Sequence, residues 1–409
     1  MPSILTNTSA MVALQTLKGI NSNLEKTQSE ISTGKSVANA RDNAAVWSIS
    51  KVMESDVKGF KGISDSLALG SSTVAVARSA SETVTDLLTQ MKGKIVAAQE
   101  SNVDRAKIQT DIVALRDQIG AVVGAAQFNG LNLLSNQSAT AGTNNVDILA
   151  SLDRSASGVA ASKITVAKND LGTNAATNGA TAGGGAATAI ATLAAGATQN
   201  FMQILPANVG YGTTYNIESM AGTAVAAPNQ VSYVARQGDT AASVASEMVT
   251  RLNFVAQREG RTVSFALSST DPTQITITNT GSAAVTGIAA TDVNRTTGGT
   301  AGGGLNLLRQ FDVTTTNGAA AALAGIEGLI QKSIGSAAAF GSAQGRIDTQ
   351  TKFVSSLTDS LKAGIGTLVD ADMEEASARL QALQVQQQLG VQALSIANQA
   401  PQSILSLFR

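Results

Sequence analysis

The chain has 409 residues, with 28 Lys and Arg against 29 Asp and Glu and neither histidine nor cysteine. That composition excludes thiolate nucleophiles, imidazole bases and the usual zinc sets, and the near-balanced charge gives no electrostatic reason for a nucleic acid or an anionic membrane as partner. Aromatic residues are only 3% of the chain, and the abundance of Ala, Gly, Ser, Thr and Asn predicts long thin helices and surface loops in an elongated molecule.

Residues 1–42 open with Ile4, Met11, Leu14, Leu17, Ile20, Leu24 and Ile31, mostly three, four or seven apart. This is the apolar stripe of a helix that Gly34 closes. Met1 to Ala13 carries no basic segment followed by an unbroken apolar run, so no cleaved leader is expected. A cytosolic address, or export by a route that reads no such leader, both fit.

Residues 43–136 predict two more helices. One starts at the Asp42-Asn43 cap and runs through Met53, Val57, Phe60, Ile63, Leu67, Val74, Val84, Leu87, Met91 and Ile95. At 1.5 Å per residue its length is on the order of 80 Å. Trp47, beside the cap, reads as a packing residue, as do Met53, Phe60 and Leu67. The next helix runs from about Asp104 to Phe128, where Asn129-Gly130 is expected to stop it.

Residues 137–304 change character to Gly, Ala, Thr and Asn loops with short alternating strands. Within 201–290, Tyr215–Ser219 and Val231–Arg236 read as strands and Thr240–Gln257 as a helix capped by Asp239 or Thr240. Thr262–Leu267 and Gln274–Thr278 read as strands again, giving a small ββαββ module. Thr177–Thr188 and Thr296–Gly304 are poor in large apolar side chains and predict flexible joints. Gly183-Gly184-Gly185 and Gly302-Gly303-Gly304 lack the Lys-Ser/Thr of a phosphate loop and read as linker. The module offers Asp239, Glu247 and Glu259 without a convincing carboxylate pair, so catalysis, a cofactor or a metal is not expected there. Tyr211, Tyr215 and Tyr233 leave an adhesive or carbohydrate-binding role open.

Helical periodicity returns in 305–365, from about Ala319 to Leu361, and again in 366–409, from about Asp370 to Asn398. The last helix carries Met373, Ala376, Leu380, Leu383, Gln387, Gly390, Leu394 and Ala397 at alternating spacings of four and three, a heptad seam. Glu374 and Glu375 suit the helix dipole at its start. No charge lies between Arg379 and Arg409, and Gln384, Gln386, Gln387, Gln388 and Gln392 exclude a lipid-spanning helix. Ile404, Leu405, Leu407 and Phe408 add an apolar tail that needs cover.

The fold class read from these elements is mainly α, with paired terminal helices as a coiled coil and an α+β insertion between them. A two-helix pair with one thin seam gains roughly 1.5 to 3 kcal/mol per large apolar side chain buried and loses about 1 to 2 kcal/mol per residue ordered. The terminal arms are therefore expected to stay disordered alone and to fold where neighbouring copies cover their remaining faces. A head-to-tail contact of this kind that does not close on itself builds a helical polymer. The seam residues at both ends are thus the expected subunit interface.

The residues also resemble bacterial flagellin, of the alphaproteobacterial, rhizobial type. The resemblance rests on Ile31-Ser32-Thr33-Gly34-Lys35 with Asp42-Asn43-Ala44-Ala45, and on Trp47-Ser48-Ile49. Phe128-Asn129-Gly130 with Asn132-Leu133-Leu134, Ala371-Asp372-Met373 and Gln399-Ala400-Pro401 through the SILSLFR ending add to it. It covers roughly residues 1–136 and 305–409. It implies an extracellular filament in which the terminal helices form inner tubes, the longer helices an outer tube, and 137–304 faces water. It also implies unfolded export through the flagellar type III apparatus, with an export chaperone, and folding at the tip beneath a cap protein. The partners it implies are further copies of the chain, sister flagellins and hook–filament junction proteins. Recognition by the animal flagellin receptor is expected to be weak, because Gln90-Met91-Lys92-Gly93-Lys94-Ile95 lacks the Arg-rich, Glu-containing pattern of well-sensed members. A junction protein sharing the same arms is the nearest rival reading.

Overall fold

The structure, a computed structural model, describes residues 7–140, 142–155, 158–179, 181–182, 190–217, 219–220, 223–224, 231–288 and 293–407. Six α-helices dominate them: α1 (Thr8–Thr33), α2 (Ala44–Ala97), α3 (Arg105–Ala125), α4 (Ala241–Arg258), α5 (Thr316–Val369) and α6 (Met373–Leu407). The chain divides into two compact units, Met1–Asp65 with Lys352–Arg409, and Ser66–Thr351. The helices α2 and α5 contribute to both.

Local chemistry sets the helix ends. The Asn7 side chain accepts from Ala10 N at 3.1 Å to cap α1, and Gly34 ends it at φ 69°, a left-handed conformation glycine adopts freely. The Asn43 side chain accepts from Val46 N at 3.2 Å, Asp104 caps α3, and Asp372 accepts from Glu374 N at 3.0 Å before α6. Thr240 and Ser243 form a reciprocal capping box for α4, so Thr240 rather than Asp239 is the cap.

In the first unit α1 packs antiparallel on α6. The connection entering α6 is fixed at the foot of α1: Ala371 N donates to Gly34 O at 3.0 Å and Ser36 N to Val369 O at 2.7 Å. The helix α6 continues to Leu407 instead of ending at Asn398, so Pro401 lies within it.

The second unit has a helical core. Leu67, Val74, Val84, Leu88, Met91 and Ile95 of α2 are fully buried, as are Ile119 of α3 and Ile326, Phe340 and Ile347 of α5. The helices α2 and α5 meet where Ser333 Oγ accepts from Thr85 at 2.9 Å and donates to Ser81 O at 3.1 Å.

The helix α3 ends at Ala125, short of Phe128. Gln127–Phe128 instead pairs with Leu131–Asn132 across Asn129 (φ 50°) and Gly130 (φ 78°), a tight hairpin turn. Two consecutive left-handed residues match the twist of a two-residue hairpin, which is why Asn-Gly here turns a ribbon rather than stopping a helix.

The predicted module elements are present but belong to two sheets. Val231–Val234 and Thr214–Ile217 pair in a four-stranded sheet that continues through Val293–Thr297 to Thr181–Ala182. Val263–Leu267, Gln274–Asn279 and Thr198–Gln203 make a separate three-stranded sheet. The helix α4 packs against strands of both. Ahead of them lies a long hairpin, Asn145–Ser155 with Gly158–Ala167, that the sequence reading missed.

The expected joint at Thr296–Gly304 is packed. Thr177 and Thr300 exchange backbone hydrogen bonds at 2.9 and 2.8 Å, Gly303 N donates to Asn174 O and Leu305 N to Gly172 O. The backbone of 302–304 runs so close to 170–176 that no Cβ fits at Gly303 or Gly304. Glycine is used here for close approach of chains, not for slack. Gly183–Gly185 lies outside the described residues. The insertion is further seated where Phe254 of α4 stacks at 5.4 Å on Phe311, in the segment leading into α5, and a Cβ on Gly325 of α5 would stand 3.2 Å from both rings.

Candidate functional site

Among the described residues, two places that concentrate chemistry or exposed apolar surface stand out, and they differ in kind. The first is a buried charge cluster at the base of the insertion. Arg236 is 7% exposed and donates to Gly302 O at 3.2 and 3.0 Å and to Gly303 O at 2.8 Å, with Asp170 3.7 Å away. The Asp170 carboxylate accepts from the amides of Asn136, Gly172 and Gly304. Arg236 and Arg251 lie over the Tyr233 ring at 5.5 and 5.4 Å, and the Tyr233 hydroxyl donates to Asp239 at 2.6 Å. The Glu247 carboxylate accepts from Lys332 of α5.

Burial pushes the Tyr233 phenol well above its usual value. Burial would raise Glu247 too, but Lys332 and Arg251 outweigh it and hold its carboxyl at about 2. Three cations thus meet three carboxylates, and each carboxylate already has a donor: the arrangement neutralises itself and ties loops together. No group of three or more His, Cys, Asp or Glu side chains among the described residues could hold a metal ion.

The second place is the pair α1 and α6. On α6 between Ala376 and Ala397 the positions that are not exposed are Ala376, Leu380, Leu383, Gln387, Gly390, Leu394 and Ala397, the four-three alternation of one seam. On α1 they are Ala10, Ala13, Leu17, Ile20, Asn21, Leu24, Thr27, Glu30 and Ile31. Gln387 donates to the Asn21 amide oxygen at 2.8 Å across the seam. A Cβ on Gly390 would stand 3.1 Å from Leu17 Cδ1, so this glycine is the notch that admits Leu17.

Of the residues singled out from the sequence, Leu17, Leu24, Ile31, Leu380 and Leu394 sit half-buried in this pairing, and Leu383 is buried. Met11 (63%), Leu14 (44%) and Met373 (44%) face away from it and stay exposed. The stripe read on α1 was therefore two rows run together, one facing α6 and one facing out. Ile4 and Phe408 lie outside the described residues, as do the side chains of Ile404, Leu405 and Leu407, whose backbone continues α6. Phe60 and Leu67 are buried, Trp47 and Met53 half-buried, and Phe128 half-buried in its hairpin.

The sequence reading overlooked the outward rows. Val12 on α1 and Val385, Leu389, Val391 and Ile396 on α6 are 54 to 68% exposed. Their signal was present: each falls between the seam positions, in a segment without charge. Single exposed apolar side chains are ordinary, but several of them together on helix stretches without charge, 8–17 of α1 and 380–407 of α6, are not. Among the described residues no helix is long and apolar enough to cross a membrane.

Comparison with known proteins gives two family matches, one at each end. The bacterial flagellin N-terminal helical region matches residues 4–139, and the bacterial flagellin C-terminal helical region matches residues 323–408. Flagellin A of Rhizobium meliloti is 36% identical over 413 aligned residues, and Flagellin B of the same organism 35% over 421, each covering all of both chains. A flagellin of Brucella melitensis biotype 1 is 33% identical over 410, again across the whole of both chains.

Proposed function

The chain belongs to the bacterial flagellin family and is a structural subunit of the extracellular flagellar filament, and on that premise we propose that α1 and α6 form the subunit interface and complete their folding only in the polymer. The observation that carries this is the outward apolar surface of the pair: Met11, Val12, Leu14, Val385, Leu389, Val391 and Ile396 are 44 to 68% exposed. Their own seam holds few large apolar side chains, with Ala376, Gln387, Gly390 and Ala397 at four of its seven α6 positions. Such a seam does not offset the ordering of two helices, whereas covering the outward rows does.

The family is structural, and the self-neutralised charge cluster supports reading the chain as no enzyme. Rhizobium meliloti has several sister flagellins, which supports co-assembly as well as self-assembly for this chain. Unfolded export with a chaperone, folding beneath a cap, contact with a junction protein, inner and outer tubes built by the seam and packing residues above, and weak sensing by the animal receptor complete the reading.

The test is seeded elongation. Purified full-length chain is added to sheared filament fragments beside a version ending at Gln399, and growth is followed by electron microscopy. Growth of the full-length chain alone supports the reading. Equal growth of both shows that the last ten residues are no part of the interface.

A further inference from the structure

The helix α6 passes through a proline, and a residue on the other helix answers it. In an α-helix the amide of residue 401 would donate to the carbonyl of Ala397, four residues earlier. Pro401 has no N–H, so Ala397 O cannot receive that bond. The structure fills the place from α1: Asn7 Nδ2 donates to Ala397 O at 2.8 Å. The same side chain uses its other atom to start its own helix, Oδ1 accepting from Ala10 N at 3.1 Å.

We propose that Asn7 is a positioning residue for assembly, one amide that caps the start of α1 and replaces the hydrogen bond Pro401 removes from α6. The proposal deepens the interface reading above and rests on it. Both halves of the amide are needed. A carboxylate in its place caps a helix equally well but has no hydrogen to donate to Ala397, and a serine hydroxyl caps it but is too short to reach that carbonyl as well. The proline makes the contact specific, because with any other residue at 401 the helix would satisfy Ala397 itself and α6 would have no use for α1 there. The start of one arm is thereby tied to the last turns of the other, and a register error by one heptad would leave the carbonyl bare. Asn21 with Gln387, and Gly34 with Ala371, are the other two rungs of the same antiparallel ladder. The three together span the pair from its free end to its foot.

The idea separates from a plain stability role through a double-mutant cycle on the full-length chain. Asn7→Asp keeps the cap and loses the donor; Pro401→Ala restores the N–H that Ala397 lacks. The readout is the critical concentration for seeded elongation, with helix content of the filaments by circular dichroism and amide exchange at residues 395–407 as the second measurement. With Pro401 in place, Asn7→Asp should raise the critical concentration about tenfold, the size expected for a part-buried carbonyl that loses its one partner. In the Pro401→Ala background the same change should act less than threefold. Asn7→Ser should behave as Asn7→Asp does, which excludes the introduced charge as the cause. An equal effect of Asn7→Asp in both backgrounds overturns the proposal, as does no effect in either. Failure of the unsubstituted chain to elongate its own seeds would instead count against the interface reading.

Discussion

Replacing Met11 and Leu14 by serine tests the outward row of α1 where it is most exposed. Met11 is 63% and Leu14 44% exposed, so both still have apolar area to lose on assembly. Full burial of such a side chain is worth roughly 1.5 to 3 kcal/mol, which leaves about 1 to 2 kcal/mol for Met11 and about 0.7 to 1.3 kcal/mol for Leu14. Together, about 2 to 3 kcal/mol per subunit corresponds to a rise of roughly 30- to 150-fold in the critical concentration for elongation. The free subunit should be affected by less than about 0.5 kcal/mol, because the substitutions touch neither seam nor core. Sedimentation of seeded reactions over a concentration series gives the first number, and urea unfolding of the free subunit the second. A critical concentration within threefold of the original would refute the reasoning, and so would a loss of subunit stability that accounts for the whole effect.

Three further outcomes follow, two at the base of the insertion and one in the hairpin ahead of it. Gly304→Ala places a Cβ against the carbonyl of Asp170, backbone that cannot swing aside, and should cost about 3 kcal/mol or more in urea unfolding. Gly130→Ala, with open space around it and only its φ of 78° against it, should cost about 1 to 2 kcal/mol by the same assay. The Glu247 carboxyl is held at about 2, below the ordinary 4.5, so its contribution is complete above that ordinary value and disappears as the pH falls from there through about 2. Urea midpoints taken from pH 5 down to 2 should therefore fall, and in Glu247→Gln the fall over that window should be shallower. Parallel curves for the two proteins would show that the Lys332 pairing does not set the acid response.

Much of this was legible in the residues, and the failures have physical causes. The three-four spacing on α6 selects eight positions, of which all but Met373 at the helix start are shielded, because beyond Arg379 no charge interrupts the pattern. On α1 the same reasoning merged two rows, since Met11 and Leu14 are apolar for one surface and Leu17 and Leu24 for another. Spacing cannot tell a partner within the chain from a partner outside it. The Asn129-Gly130 pair was legible as punctuation but not as a hairpin, because both uses need a left-handed residue. Gly302–Gly304 read as slack since glycine has no side chain to bury, yet that absence is what lets two backbones touch. The hairpin at 145–167 was invisible because its shielded residues, Ile148, Ala150, Ile164 and Val166, are spread among Ser, Ala and Asp. The last helix was read as ending near Asn398, whereas it runs on through Pro401, where Asn7 donates to the carbonyl of Ala397. The charge cluster had no sequence signature, its members being scattered from Asp170 to Lys332.

The central claim is that α1 and α6 are completed by the polymer, and amide hydrogen exchange measures it most directly. Exchange is followed by mass spectrometry over residues 8–33 and 373–399 in the free subunit and in filaments, with α2 residues 74–95 as internal reference. The account predicts exchange in the free subunit close to that of an unstructured chain in both arms. In the filament it predicts protection of at least about a thousandfold, with the reference segment protected in both states. Arms already protected in the free subunit to the level of residues 74–95 would contradict it.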